Sequence, residues 1–289
     1  MNRTRRKQQE YAGLQARYGY GCKLMAATML GGAAWMAGAQ AQAQELQPHR
    51  ALYEMELDSV RGTQTVTGVS GMMAFTWQDV CGGWTMEQRS RLALDFGERG
   101  GTELGWRYNS WESDAGDRMR FFLRRFQDGE ETEVLRGEAR LGPEGGSAKW
   151  QAGDENGESR SLDLPADTLF PKAHTVRLIQ ALRDGGSGVF SHIFDGTGES
   201  DGLHVVNAVV LSDTHGEPAS LESSMLEDVP SWRVTKAFFD PGEPDGAPES
   251  EQTARLFANG ITDTLRIDYG DFVVKAVLSE LEALERPEC

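Results

Sequence analysis

The chain has 289 residues, and its 29 Lys+Arg stand against 45 Asp+Glu, a formal charge of −16 at neutral pH. That balance excludes nucleic acid as the expected partner, because binding it needs a basic footprint. It also speaks against adhesion to an anionic membrane surface.

Residues 1–43 read as a secretory signal peptide. Arg3, Arg5, Arg6, Lys7, Arg17 and Lys23 form a basic leader, and Leu24 to Ala39 an apolar run rich in Ala, Met and Gly. Ala39-Gln40-Ala41-Gln42-Ala43 then offers overlapping small-x-small sites, with cleavage expected after Ala41 or Ala43. A spanning helix usually needs about 20 apolar residues; this run is shorter, and an uncleaved anchor is the alternative. Arg5-Arg6 is followed by Lys7-Gln8-Gln9, which is not the apolar continuation of a twin-arginine signal. Cys22 precedes the apolar run and goes with the leader. The leader holds six of the cations and one of the acids, leaving 23 against 44, a formal −21. Residues 44–289 are expected to be a single domain with no membrane-spanning helix, periplasmic if the host is Gram-negative.

From His49 onward the pattern is that of strands. Tyr53 to Leu57 opens, and Thr65 to Trp77 follows, with Gly68, Ser70 and Gly71 suggesting a bulge or sharp bend. Gly82-Gly83 turns the chain into Trp84 to Phe96, where Leu92, Leu94 and Phe96 alternate against Arg91, Ala93 and Asp95. Leu104 to Trp111 puts Trp106, Tyr108 and Ser110 on one face. In Arg118 to Phe126, Met119, Phe121 and Leu123 oppose Arg118, Arg120 and Arg124. Gln127-Asp128-Gly129 is a hairpin-type turn, Glu131 to Leu141 and Ser147 to Trp150 are weaker strands, and Asp154-Glu155-Asn156-Gly157 is another turn. Strands spaced this closely suggest a barrel or sandwich.

One helix is expected near residues 171–184. Pro171 suits a first helical position and Gly185-Gly186 a stop, and Ala173, Val176, Ile179 and Leu182 make one apolar stripe. Such a helix could plug or cover a barrel end. Val189 to Phe194, His204 to Leu211 and Trp232 to Phe239 resume the strands, and Asp240 to Ser250 is a Pro/Gly/acidic loop. Last comes a meander: a strand at Leu256 to Ala258, the turn pair Asn259-Gly260, a strand from Ile261 to Tyr269, then Phe272 to Leu284. The tail from Ser279 to Glu285 reads as strand, with a helical turn as the alternative.

Two cysteines remain beyond the leader, Cys81 and Cys289. In an exported chain an even number points to a disulfide, with two free thiols as the alternative. The bond would close a loop of 208 residues, for which chain entropy gives at most about 5 kcal/mol.

Catalytic signatures are missing. There is no Gly-x-Ser-x-Gly: Gly68-Val69-Ser70-Gly71 has the wrong spacing. There is no His-Glu-x-x-His, no Cys-x-x-Cys and no Gly-Lys-Ser/Thr phosphate loop. Asp195, Thr197, Glu199 and Asp201 alternate oxygen side chains, but Ser200 and Val206 stand where a calcium loop needs Gly and an acid; a solvated acidic turn explains them. His49, His174, His192, His204 and His215 are scattered, although His192 and His204 could approach each other if their strands pair. Asp268-Tyr269-Gly270-Asp271-Phe272 holds two carboxylates that a capped tight turn accounts for. The mixture of Trp106, Trp111 and Glu112 with Arg120 and Arg124 is the one possible ligand or partner surface, an apolar pocket rimmed by charge. A barrel wall with a salt-bridged outer face would give the same pattern. No catalytic, cofactor or metal residue is assigned.

Several short segments, in order, resemble the EipB-like family of periplasmic cell-envelope integrity proteins from alphaproteobacteria. They are Pro48-His49-Arg50-Ala51, Gly68-Val69-Ser70-Gly71, Cys81-Gly82-Gly83, Trp111-Glu112-Ser113 and Arg120-Phe121. Phe170-Pro171 with His174, Phe194-Asp195-Gly196, Asn259-Gly260, Asp268 to Phe272 and Pro287-Glu288-Cys289 continue the match. The resemblance implies an all-β, spiral-like, largely antiparallel β-barrel in the periplasm, a Cys81–Cys289 disulfide and a role in maintaining the envelope. Asp114-Ala115-Gly116-Asp117 looks longer than the family's usual turn, and the loop from Asp240 to Ser250 is rich in insert-like residues.

The leading expectation is a non-enzymatic envelope protein that binds another periplasmic protein or an envelope component. The alternative is a carrier or sensor whose lumen holds a lipid-like molecule, and an envelope-modifying enzyme is the remote third. A filled interior would argue for a solid core, a continuous cavity for the carrier, and converging acids or histidines in a cleft for the enzyme.

Overall fold

A computed structural model describes residues 46–289 apart from 62–65, 154–156 and 198. The expected signal peptide with Cys22 lies outside the described residues, as does most of the turn before Gly157. Apolar residues recur at every second position, and the chain forms strands wherever they do: β1 (His49–Val60), β2 (Gly68–Val80), β3 (Gly83–Asp95), β4 (Gly101–Ser113), β5 (Arg118–Gln127), β6 (Glu130–Gly142), β7 (Gly145–Ala152) and β8 (Glu158–Leu164). The helix α1 (Pro171–Arg183) follows, then β9 (Gly188–Phe194), β10 (Leu203–Asp213), β11 (Ser231–Phe239), β12 (Ser250–Phe257), β13 (Thr262–Asp268) and β14 (Phe272–Ala283).

All fourteen strands belong to one sheet, in the order β8-β7-β6-β5-β4-β3-β2-β1-β14-β13-β12-β11-β10-β9. Every ladder is antiparallel. The first strand pairs with the last, from His49 opposite Ala283 to Val60 opposite Phe272, so the free edges are β8 and β9. They are joined in sequence through α1. Among the described residues the edge of β9 is met by the segment before the helix, where Leu169 N–H donates to the His192 carbonyl and Phe194 N–H to the Leu169 carbonyl.

The sheet rolls over itself. The end of β9 lies against the inner face of β4 and β5: the Phe121 and Phe194 rings meet edge-on at 5.8 Å, and the Tyr108 hydroxyl donates to the Asp195 carbonyl at 2.6 Å. The approach leaves no room for a side chain after β9, since a Cβ on Gly196 would lie 2.6 Å from the Phe121 ring. Two apolar clusters pack inside the roll. One joins β1–β3 to α1 and β9–β14, and the other joins β4–β8 to Phe170, Phe194 and Leu203.

Three sequence expectations change. The glycines of β2 form no bulge, because the β2–β3 ladder runs unbroken from Gly68 opposite Asp95 to Val80 opposite Gly83. Gly71 instead allows close approach: a Cβ there would sit 2.2 Å from the Arg91 carbonyl oxygen. The strand expected at Leu256 is the end of β12, which begins at Ser250 in a polar stretch. The hairpin expected at Asn259-Gly260 does form, joining β12 to β13, with Gly260 at a φ of 88°. Asn259 is buried and its side-chain amide donates to the Met225 carbonyl at 2.8 Å. Lastly, the apolar stripe of α1 is shifted. Val176 is 45% exposed, and the buried face carries His174, Leu178, Ile179 and Leu182. The helix docks where two hairpin ends supply polar groups, so its covered face is partly polar.

The long connection between β10 and β11 is held from beneath by Arg255. Its guanidinium donates to the Thr214, Glu217 and Pro218 carbonyls and lies 4.9 Å over the Phe257 ring. The two cysteines are joined as expected, Cys81 to Cys289, across 208 residues. The bond ties the end of the chain to the β2–β3 turn, so Cys289→Ser should lower unfolding free energy by roughly 2–4 kcal/mol. Chemical denaturation under oxidising conditions reads this directly. Equal midpoints for variant and parent would show that the bond does not hold the shell.

Candidate functional site

The inward positions of β1–β4 and β11–β13 enclose a cavity of about 340 Å³. Alternation decides what faces it. Opposite one another on neighbouring strands stand Tyr53 and Met73, Phe75 and Gln88, and Met86 and Ser110. On the far wall Lys236 faces Gln252, and Val234 faces Ala254. A second space of about 630 Å³ continues along the roll between β4–β5 and β12–β13. The two share Met86, Gln88, Pro171, Gln252 and Ile267, so they adjoin as one lumen. The second space reaches the exposed side chains of Gln127, Thr132 and Tyr269.

The opposite end is covered by α1. The helix runs from the β4–β5 turn, where the Lys172 ammonium donates to the Ser113 and Asp114 carbonyls, to the β12–β13 turn, where Arg183 donates to the Ala258 carbonyl. Its start has no side-chain cap of its own, because Phe170 stands at that position. Glu112 supplies the cap from β4. Its carboxylate oxygens accept the Lys172 and Ala173 amides at 2.8 and 2.9 Å, neutralising donors that a helix start leaves unpaired. Glu112 is only 4% exposed, and burial lifts its pKa to about 7 although those amides and Lys172 pull it down. Closing the same first turn, His174 is buried with its Nε2 unpaired. Burial, with Lys236 and Arg177 nearby, lowers its pKa to about 3, so it is neutral.

The five residues singled out in the sequence do not share one surface. Trp106 and Glu112 point inward, as their pairing with Ser90 and Trp84 requires. Trp111, Arg120 and Arg124 belong to the outer face. There the Arg118 and Arg120 guanidiniums each lie 5.8 Å over the Trp111 ring, and Arg124 pairs with Glu131. The Cys81–Cys289 bond stands at the end of the β2–β3 hairpin.

The remaining motifs resolve into local structure. His192 bonds Asp167 at 2.8 Å and His204 approaches Glu249 at 3.4 Å. Their strands do pair, but His204 is opposite Ile193, so the two imidazoles face opposite sides of the sheet. Asp268 caps its turn by accepting the Gly270 amide, and Asp195 accepts both the amide and the hydroxyl of Thr197. Among the described residues no three His, Cys, Asp or Glu side chains are grouped to hold a metal ion. The group that sequence reading missed is Lys236, although Val234, Lys236 and Phe238 share one phase of the β11 alternation.

The raised pKa of Glu112 gives a signed expectation. A carboxyl whose folded pKa lies above its unfolded value favours the folded state increasingly as pH falls from about 7 towards 4.5. The parent should therefore gain stability relative to Glu112→Gln over that window, by on the order of 2–3 kcal/mol at full extent. Comparing the two proteins cancels the opposing effect of His174, whose lowered pKa makes the fold less stable below 6.5. Denaturation at several pH values tests this, and parallel curves would contradict it.

No helix among the described residues is long and apolar enough to cross a membrane. A family model described as EipB-like matches residues 40–285. The cell envelope integrity protein EipB of Brucella abortus (strain 2308) is 30% identical over 250 residues, which cover 85% of this chain and 87% of that protein. The crystal structure of a β-barrel-like protein, a domain of unknown function from Brucella abortus, matches with a TM-score of 0.76 at 27% identity, covering 84% of this chain and all of the other. On the family match and the relative's identity over most of both chains, the chain belongs to the EipB-like family.

Proposed function

We propose that this protein supports cell-envelope integrity from the periplasm, without catalysing a reaction, by holding a lipid-like molecule in its lumen. The envelope role follows from the name of the Brucella relative. The lumen role rests on one observation, the two adjoining interior spaces lined by Met73, Phe75, Trp77, Trp84 and Met86 on one wall and Leu256, Leu265 and Ile267 on the other. These side chains border the space and also pack into the apolar cluster beside it, where Met73 and Leu256 meet Phe75 and Leu265. Concave, mostly apolar sites of about 300–1,000 Å³ are what small ligands occupy. The Cys81–Cys289 bond and the secretory pattern of the leader suit an oxidising compartment. A catalytic role for Glu112 finds no support, since both its oxygens are taken up by helix amides.

A partner protein is the second reading, favoured by a different observation. Phe190 is 62% exposed and Leu211 57%, with Val209 between them on the outer face of β9 and β10, beside the free edge of the sheet. A receiving surface for another chain has this composition.

Native mass spectrometry of protein purified gently from its own periplasm separates the readings. The lumen role predicts a bound mass of lipid size that denaturation releases. A clean polypeptide mass, together with no fluorescence gain from the neutral probe N-phenyl-1-naphthylamine, would contradict it and favour the outer face.

A further inference from the structure

Lys236 is the charged lumen residue with nothing to pair with. It projects from the middle of β11 into the 340 Å³ space. Among the described residues its ammonium makes no hydrogen bond and no ion pair, and the ionisable group it acts on is the neutral His174. The other ionised groups along the lumen are accounted for: Glu112 by the helix amides, Lys172 by the Ser113 and Asp114 carbonyls, Arg125 by Glu133 at 3.2 Å, and Asp195 by Thr197. Enclosure strips water from Lys236 and brings its pKa down to about 8, so at neutral pH it is still mostly an ammonium. A charge in such a place is costly unless something of opposite sign meets it. Directly across the ladder stands Gln252, whose side-chain amide faces the same space. Side chains opposite on neighbouring strands have Cβ atoms about 4.5–5.5 Å apart, so one anionic group could reach both. The same space is lined by polar groups, Gln88, Ser110, Glu112 and Thr175, and by the apolar side chains of Met86, Val234, Leu265 and Ile267.

We propose that the lumen takes an amphiphile with a single anionic head, a carboxylate or a phosphate, which pairs with Lys236 and accepts from Gln252 while its chain lies along the apolar wall. The inference rests on the lumen reading above and adds to it the charge of the ligand and the residue that selects it.

The test displaces N-phenyl-1-naphthylamine from the full chain with dodecanoate, dodecyl phosphate or dodecanol, for the parent, Lys236→Met and Lys236→Arg. Methionine keeps the unbranched stem and removes the charge. The affinity of one or both anions should fall about tenfold or more in Lys236→Met, about 1.4 kcal/mol at the least, with dodecanol held within about twofold. Lys236→Arg should retain the anion. The anion that loses more identifies the head as carboxylate or phosphate. Lys236→Met should melt no lower than the parent, because it removes an unpaired charge from an enclosed place, and this separates lost binding from lost folding. Unchanged anion affinity, or an equal fall for dodecanol, overturns the assignment to Lys236 while leaving the lumen reading intact. Failure of the neutral probe to bind the parent overturns both.

Discussion

The pairing of β14 with β1 places the two free edges of the sheet in the middle of the chain, at β8 and β9. A closed barrel would remove those edges by joining them with hydrogen bonds. Here the roll is closed with side chains instead: Phe194 is set against Phe121 and the Tyr108 hydroxyl on the Asp195 carbonyl. The short segment after β8 bonds the rim of β9 before the chain enters α1. One edge is thereby tucked under the inner face of β4 and β5, the arrangement that limits unwanted pairing of exposed strands. The disulfide works at the other seam. It fixes the chain's last residue to the β2–β3 turn, next to the strands that join first and last.

Closing a sheet this way leaves an interior whose ends must be dealt with separately. At one end α1 spans from the β4–β5 turn to the β12–β13 turn, and a buried carboxylate from the wall receives its start. At the other end the space meets exposed polar side chains. The result is a cup with a capped helix for its floor, walls that are mostly apolar and an ammonium, Lys236, in the far wall. A protein built only for stability would replace that lysine by an apolar residue, because an unpaired enclosed charge weakens the fold. The proposed anionic head group would meet that charge.

Much of this shell was legible in the sequence. The alternation in β5, with Met119, Phe121 and Leu123 against the arginines, gives the inner and outer faces directly, and Cys81 with Cys289 gives the closing bond. The edge strand β8 was missed because Ser159, Arg160 and Ser161 are exposed and only Leu164 is buried, which leaves no alternation to read. The face of α1 was misjudged because a period of three drifts around a helix of 3.6 residues per turn, and because Lys172 and His174, polar residues, are the ones covered. The candidate surface of Trp106, Trp111, Glu112, Arg120 and Arg124 mixed both sides of one wall. A single strand sends neighbouring residues to opposite faces, so Trp111 and Glu112 could not share a site. Lys236 was visible as a lysine in phase with Val234 and Phe238, but phase becomes informative only once the side that is inward is known.

A crystal structure of the protein grown with a bromine-labelled dodecanoate tests the account most directly. The account predicts an anomalous bromine peak inside the roll between the apolar walls, with the carboxylate within hydrogen-bond reach of Lys236 and Gln252. A lumen holding only water, with bromine bound on the outer face or nowhere, would contradict it.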